Sequence, residues 1–330
     1  MTDFKRYLLD EFVEDYEEGT LSRREALKLI AGITGSLTIA GSILAACAPP
    51  AQPAPTIGAA ATTALPTAAS PTAAPPTAAA STLATTTSTS IVATPTSGSD
   101  IVANDVQFPD TNATLMGYLA RPAADGTYPA VLVCHENRGL TAHIKDVTRR
   151  FVRAGYVALA VDLLSRQGGT ASISDQSTIP GLLSNMSQDQ FVADFTSGWR
   201  YLQTQTFVQK DRVGMVGFCF GGGVTWRVAI GLPELRAAVP FYGPPPAADE
   251  VTKINAAVLA FYGQLDQRIT SSEPAMEAAM KQNGKTFDKL IYPNANHAFF
   301  NDTGASYNAA AAKDAWTRAV AWLDEYVKAA

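Results

Sequence analysis

Beyond residue 100 the chain alternates short apolar runs with longer stretches whose apolar residues recur at helical spacing. Val102 to Phe108 and Leu115 to Ala120 read as two early strands, joined by the turn-forming Pro109-Asp110-Thr111-Asn112. Ala130 to Cys134 is continuously apolar, as expected of a strand covered on both faces. Val157 to Val161, Arg212 to Phe218, Ala237 to Tyr242, Ala257 to Tyr262 and Phe287 to Tyr292 repeat that pattern. Between them, Ile144, Val147, Phe151 and Val152 share one helical face, with Thr141 as N-cap and Gly155 as stop. Gln188 to Gln205 and Ser306 to Lys328 are also helix-length. Strands alternating with helices predict an α/β fold, a mostly parallel central sheet with helices on both faces.

The first hundred residues follow a different pattern. Leu29 to Ala46 contains no charge, is preceded by Ser22-Arg23-Arg24-Glu25-Ala26-Leu27-Lys28, and ends in Leu44-Ala45-Ala46-Cys47. The first part resembles a twin-arginine export signal, with Ala26 where an aromatic residue is often found, and the second resembles a bacterial lipobox. Together they imply a domain that folds, is exported, and is held by lipid on Cys47 at the outer face of the cytoplasmic membrane or at the outer membrane. An apolar run of about 18 residues is also near the minimum for a bilayer span, so an uncleaved anchor is the alternative. Ala48 to Ser99 is almost entirely Ala, Pro, Thr and Ser, with no charge and little to bury, and cannot offset the entropy of ordering itself. It reads as a disordered tether reaching on the order of 40 Å if flexible. The expected organisation is a signal peptide over 1–47, a linker over 48–99 and one catalytic domain over 100–330.

Charge and cysteine content narrow the chemistry. The formal net charge is −5 and no long basic run exists, which argues against nucleic acid as a partner. Three cysteines, Cys47, Cys134 and Cys219, have no paired short spacing, so neither a disulfide framework nor a cysteine-rich metal site is indicated. No cofactor or metal is expected. Cys134 lies inside an apolar strand and reads as core. Cys219 stands in Gly217-Phe218-Cys219-Phe220-Gly221, between a strand and a helix, where flanking glycines permit a tight turn that presents a nucleophile. The helix N-terminus there favours a thiolate, and the Phe220 amide becomes an oxyanion donor. Of only three histidines, His297 lies just past the last strand, and Asp266 just past the strand before it. All three residues fall at strand C-terminal ends, in the order nucleophile, acid, base. His135 and His143 read as structural or surface residues, and Asp162 as a cap on the loop that follows it.

From about Val102 to Tyr326 the chain resembles the dienelactone hydrolase family, the carboxymethylenebutenolidase-like α/β-hydrolases. The matching motifs are Gly217 to Gly223, the surroundings of Asp266, Asn296-His297-Ala298-Phe299, and Cys134-His135-Glu136-Asn137-Arg138-Gly139-Leu140. The resemblance implies a Cys219, His297 and Asp266 triad, with Glu136 contacting the cysteine to take its proton and the Asn137 amide as second oxyanion donor. It also implies two arginines that clamp a substrate carboxylate. Arg166 stands where the first is expected, but the second position is Asn301, which gives hydrogen bonds without charge. Arg138 is a candidate to compensate, or else a surface arginine paired with an acid. Phe218, Phe220, Phe299, Phe300, Tyr242 and Tyr262 lie near strand ends and are candidates to line an apolar pocket, although most aromatic residues at such places are core.

The expected activity is therefore hydrolysis of a small ester or lactone by a monomer tethered to a membrane through Cys47. The alternatives are a tethered binding lipoprotein with a non-catalytic hydrolase fold, or a redox-sensing thiol, which would lack a resolving cysteine.

Overall fold

The computed structural model describes residues 3–17, 21–46 and 100–329; Cys47 and the expected linker from Ala48 to Ser99 lie outside the described residues. Three helices come first: α1 (Asp3–Glu17), α2 (Arg23–Thr34) and α3 (Leu37–Ala46). Ser22 begins α2 with a reciprocal capping box, accepting from the Glu25 amide while its own amide donates to the Glu25 carboxylate. Gly35, at φ 73°, ends α2 in the left-handed region. That break divides the apolar run from Leu29, and among the described residues no helix is long and apolar enough to cross a membrane.

Eight strands follow: β1 (Ile101–Pro109), β2 (Thr114–Pro122), β3 (Tyr128–Cys134), β4 (Val157–Asp162), β5 (Val208–Phe218), β6 (Ala237–Phe241), β7 (Ala257–Gly263) and β8 (Phe287–Tyr292). They form one sheet in the order β1-β2-β4-β3-β5-β6-β7-β8. The β1/β2 and β2/β4 pairs are antiparallel and the remainder are parallel. The helices α4 (Ala142–Arg153), α5 (Ile179–Ser184), α6 (Gln188–Thr204), α7 (Phe220–Gly231), α8 (Gln267–Thr270), α9 (Glu273–Gln282) and α10 (Ala309–Leu323) connect and cover these strands. Every residue of β4, β6 and β7 is buried, as a sheet covered on both faces requires.

Two boundaries moved for identifiable reasons. β5 starts at Val208 instead of Arg212, because backbone pairing of Tyr128 with Phe207 and Val208 carries it through the polar Lys210 and Asp211. α10 starts at Ala309, because the Asn308 side chain accepts the Ala311 amide at 3.1 Å and so caps it there.

The N-terminal helices and the sheet domain form one compact unit. Leu8 and Phe12 of α1, and Ala26, Leu29 and Ile30 of α2, are almost wholly buried. α2 runs across α5 so closely that a Cβ on Gly181 would sit 2.6 Å from the Gly32 carbonyl oxygen. The sequence reading treats residues 1–47 as an address alone; the structure makes their helices part of the molecule's packing as well.

Candidate active site

The bend between β5 and α7 places Cys219 at φ 56° and ψ −123°, a conformation an L-residue holds only when its surroundings impose it. The surroundings do so by close backbone approach. A Cβ on Gly217 would lie 2.1 Å from the Gly221 carbonyl oxygen, and one on Gly221 would lie 2.4 Å from that of His135. Only glycine fits at either position, so the pattern around the cysteine follows from packing.

The loops after β7 and β8 bring up the partners. Asp266 is fully buried and caps α8 through the Ile269 amide at 3.3 Å, which leaves Oδ2 to accept from His297 Nδ1 at 2.6 Å. Burial pushes the Asp266 carboxyl up, but the adjacent His297 outweighs it and holds the group below its ordinary value. Burial likewise opposes a charged His297, yet Asp266 and the cysteine keep its pKa well above normal. With Nδ1–H committed to Asp266, Nε2 is the nitrogen left to exchange a proton. A nitrogen of His297, the Cys219 sulfur and a Glu11 carboxylate oxygen lie within 4.8 Å of one another. Those three atoms are also the only group among the described residues with the donor types and spacing for a metal ion.

Glu136 follows β3 and is 7% exposed. Asn301 Nδ2 donates to its Oε2 at 2.7 Å, while Oε1 is buried and without a partner among the described residues. Burial pushes its pKa up to about 7. The expected contact between Glu136 and the cysteine is not made. The thiol instead donates to Glu11 Oε1, on α1, at 3.4 Å. Asn137 lines the same cleft, and its Nδ2 donates to Glu11 Oε1 at 2.7 Å. Phe220 is the first residue of α7, directly after the thiol.

The arginines also fall differently from expectation. Arg166 is no part of the cleft: its guanidinium is spent on Asp194 at 2.8 Å and Asp110 at 2.6 Å. Asn301 and the exposed Arg138 do line it. Of the aromatic candidates, Phe218, Phe220, Phe299 and Phe300 are core, at most 2% exposed, with Phe218 and Phe300 stacked at 5.1 Å. Tyr262, within β7, is buried, and Tyr242 supports the His297 ring edge-on at 5.0 Å. His135 is structural: Nδ1 meets the Glu136 carbonyl at 2.7 Å and Nε2 accepts the Leu163 amide. His143 pairs with Asp302, and Asp162 accepts the Leu164 and Thr170 amides, capping its loop.

Tyr7, Glu11, Glu14 and Arg268 belong to the site and were not anticipated. Arg268 Nη2 is 3.4 Å from His297 Nδ1 and 4.0 Å from Asp266 Oδ1, on α8 two residues beyond Asp266. A signal in the sequence did exist for α1. Asp10, Glu11, Glu14, Asp15 and Glu17 make the stretch ahead of Arg23-Arg24 acidic, a charge pattern that the export signal itself does not call for.

The cleft left between α1 and the strand ends has a volume of ≈ 240 Å³. A larger one of ≈ 680 Å³ lies around Lys210, Asp211 and Arg236, at the opposite, N-terminal edge of the parallel strands and away from every residue above. Sites in such sheets form at the C-terminal edge, where Cys219 is.

Known proteins are similar to this chain. A protein of Methylorubrum extorquens assigned as a carboxymethylenebutenolidase is 34% identical over 247 residues, covering 71% of this chain and 84% of the relative. One of Synechocystis with the same assignment is 36% identical over 236 residues, covering 66% and 95%. The crystal structure of a Klebsiella pneumoniae protein assigned as a dienelactone hydrolase superposes with a TM-score of 0.64 at 34% identity, covering 68% of this chain and 99% of that one. The family match itself spans residues 115–327, from β2 to the last turn of the chain. Sheet order, site position and these likenesses agree: the chain belongs to the dienelactone hydrolase family.

Proposed function

We propose that Cys219 is the nucleophile of this hydrolase, acting on a small carboxylic ester or lactone. The observation that supports it most is the 2.6 Å bond from Asp266 to His297, behind a thiol held at a strained strand-to-helix bend. Glu136, with a buried unpartnered oxygen and a pKa near 7, is suited to take the thiol proton once Glu11 is absent from the sulfur. The thiolate then attacks the carbonyl carbon, and the Phe220 and Asn137 amides receive the oxyanion. Collapse expels the alcohol oxygen, which takes up the proton held by Glu136, and leaves a thioester. Water attacks the thioester, His297 Nε2 takes the water's proton, and the departing sulfur recovers it. In a lactone the alcohol stays tethered to the product acid.

Steady-state hydrolysis of p-nitrophenyl acetate by residues 100–330 tests this reading. Cys219→Ala should abolish turnover, and an unchanged rate would rule the mechanism out. The match covers 99% of the Klebsiella pneumoniae protein, which supports the choice of that stretch.

Export by the twin-arginine signal and lipidation of Cys47 are the second part of the proposal, supported by Arg23-Arg24 and Leu44-Ala45-Ala46-Cys47. Metabolic labelling with a fatty acid should tag the chain and should fail in Cys47→Ala; equal labelling of both would refute it.

A further inference from the structure

One segment sits where substrate has to be. Tyr7, Glu11 and Glu14 are spaced so that one face of α1 presents all three. The Tyr7 hydroxyl is 3.4 Å from the Cys219 sulfur and 3.4 Å from His297 Nε2, between the two groups that must share the reacting carbonyl. A reacting carbon needs that same separation, about 3–3.5 Å, from the nucleophile. Glu11 takes the thiol and Asn137 together, and Glu14 binds Arg268 Nε at 3.0 Å while the guanidinium lies over the Tyr7 ring at 4.5 Å. Leu8 and Phe12 are buried beside them, and Cys219 is left 3% exposed. The electrostatics act in the same direction. Burial, then the Glu11 carboxylate, push the thiol up to about 11, so the sulfur keeps its proton at neutral pH.

We propose that α1 is an intramolecular inhibitor, a plug whose Tyr7 and Glu11 occupy the acyl-accepting position and keep the hydrolase silent in the full chain. Arg268 is its receptor on the enzyme. The proposal rests on the hydrolase reading and extends it. Residues 1–46 precede Cys47, so peptidase cleavage at the lipobox, the hydrolysis of the peptide bond before Cys47 that accompanies its lipidation, would remove plug and address together. The enzyme would then become active only after it has left the cytoplasm.

The test uses the full chain carrying Cys47→Ala, so that no form is processed. Alkylation of Cys219 by iodoacetamide, followed by peptide mapping, and kcat/KM for p-nitrophenyl acetate are read in parallel. Tyr7→Ala/Glu11→Ala should raise both by tenfold or more over the parent. Glu11→Gln, which keeps shape and removes charge, should raise alkylation at pH 7 severalfold. Arg6→Ala, at an outward position 76% exposed, should change neither. Unchanged alkylation in both Glu11 variants, with circular dichroism showing an intact fold, would overturn the plug, and so would an equal gain in Arg6→Ala. Faster alkylation without hydrolysis in any form would uphold the plug and refute the hydrolase reading.

Discussion

The two walls of the cleft over Cys219 are held in place by different means. The lower wall, with Cys219, Asp266, His297 and Glu136, hangs from the C-terminal ends of four parallel strands, and its geometry is enforced by backbone contacts such as Gly221 against His135. The upper wall is α1, which reaches the site from far along the chain and touches it through a few side chains: Tyr7, Glu11 and Glu14. The lower wall cannot change without breaking the sheet. The upper one takes part in no strand pairing, and on the plug proposal it leaves while the sheet stays intact. On the two proposals together, chemistry is built into the fold and access to it is conditional, a division that mutations on each wall should separate.

The largest effect belongs to the lower wall. Asp266→Asn in residues 100–330 should lower kcat/KM for p-nitrophenyl acetate by about 10³-fold or more, since the wrong His297 tautomer is then held. A loss under tenfold would mean that Asp266 is an α8 cap and nothing else.

Arg166 provides a check outside both walls. Arg166→Ala strands the buried Asp194, whose carboxyl burial already pushes up to about 6 against the pull of Arg166. It should cost about 3–5 kcal/mol in urea unfolding while KM for carboxylate-bearing esters stays within twofold. A large rise in KM for anionic esters alone would return Arg166 to the substrate site.

Glu136 sharpens the comparison through pH. Its folded pKa is raised from 4.5 to about 7, chiefly by burial. The stability it contributes is therefore fully present below about pH 4.5 and lost as pH rises through 7. A shift of that size corresponds to up to about 3 kcal/mol. Urea unfolding of the full chain at pH 5 and pH 8 should show such a fall, and Glu136→Gln should flatten it. Glu11 adds to the upward shift, so Glu11→Gln should bring the transition to lower pH. The smallest effect is Glu14→Ala, where loss of a partly exposed ion pair with Arg268 should change full-chain stability by about 1 kcal/mol or less.

How much of this was readable beforehand follows the same division. The strands and the turn glycines were legible because continuous burial leaves apolar runs, and the bend at Cys219 excludes any side chain at Gly217 and Gly221. Cys219, Asp266 and His297 were legible because strand ends are where such loops converge. Arg166 was misplaced because family position says nothing about Asp110 and Asp194, which come from β2's hairpin and α6 and claim its guanidinium. The aromatic residues were left between two readings because a strand end lies equally near the pocket and the core. α1 was not legible at all as part of the site: its contacts with Cys219 span more than two hundred residues, and local periodicity carries no information on which distant surface an acidic helix meets.

The central claim is a covalent one, that acyl groups pass through the sulfur of Cys219. Mixing residues 100–330 with p-nitrophenyl acetate, quenching in acid within the first turnover and mapping peptides by mass spectrometry tests it directly. The account predicts one acetyl group on the peptide carrying Gly217-Phe218-Cys219, lost on treatment with hydroxylamine at neutral pH and absent in Cys219→Ala. Sustained hydrolysis with no adduct on that peptide, or an adduct elsewhere that survives Cys219→Ala along with the activity, would contradict it.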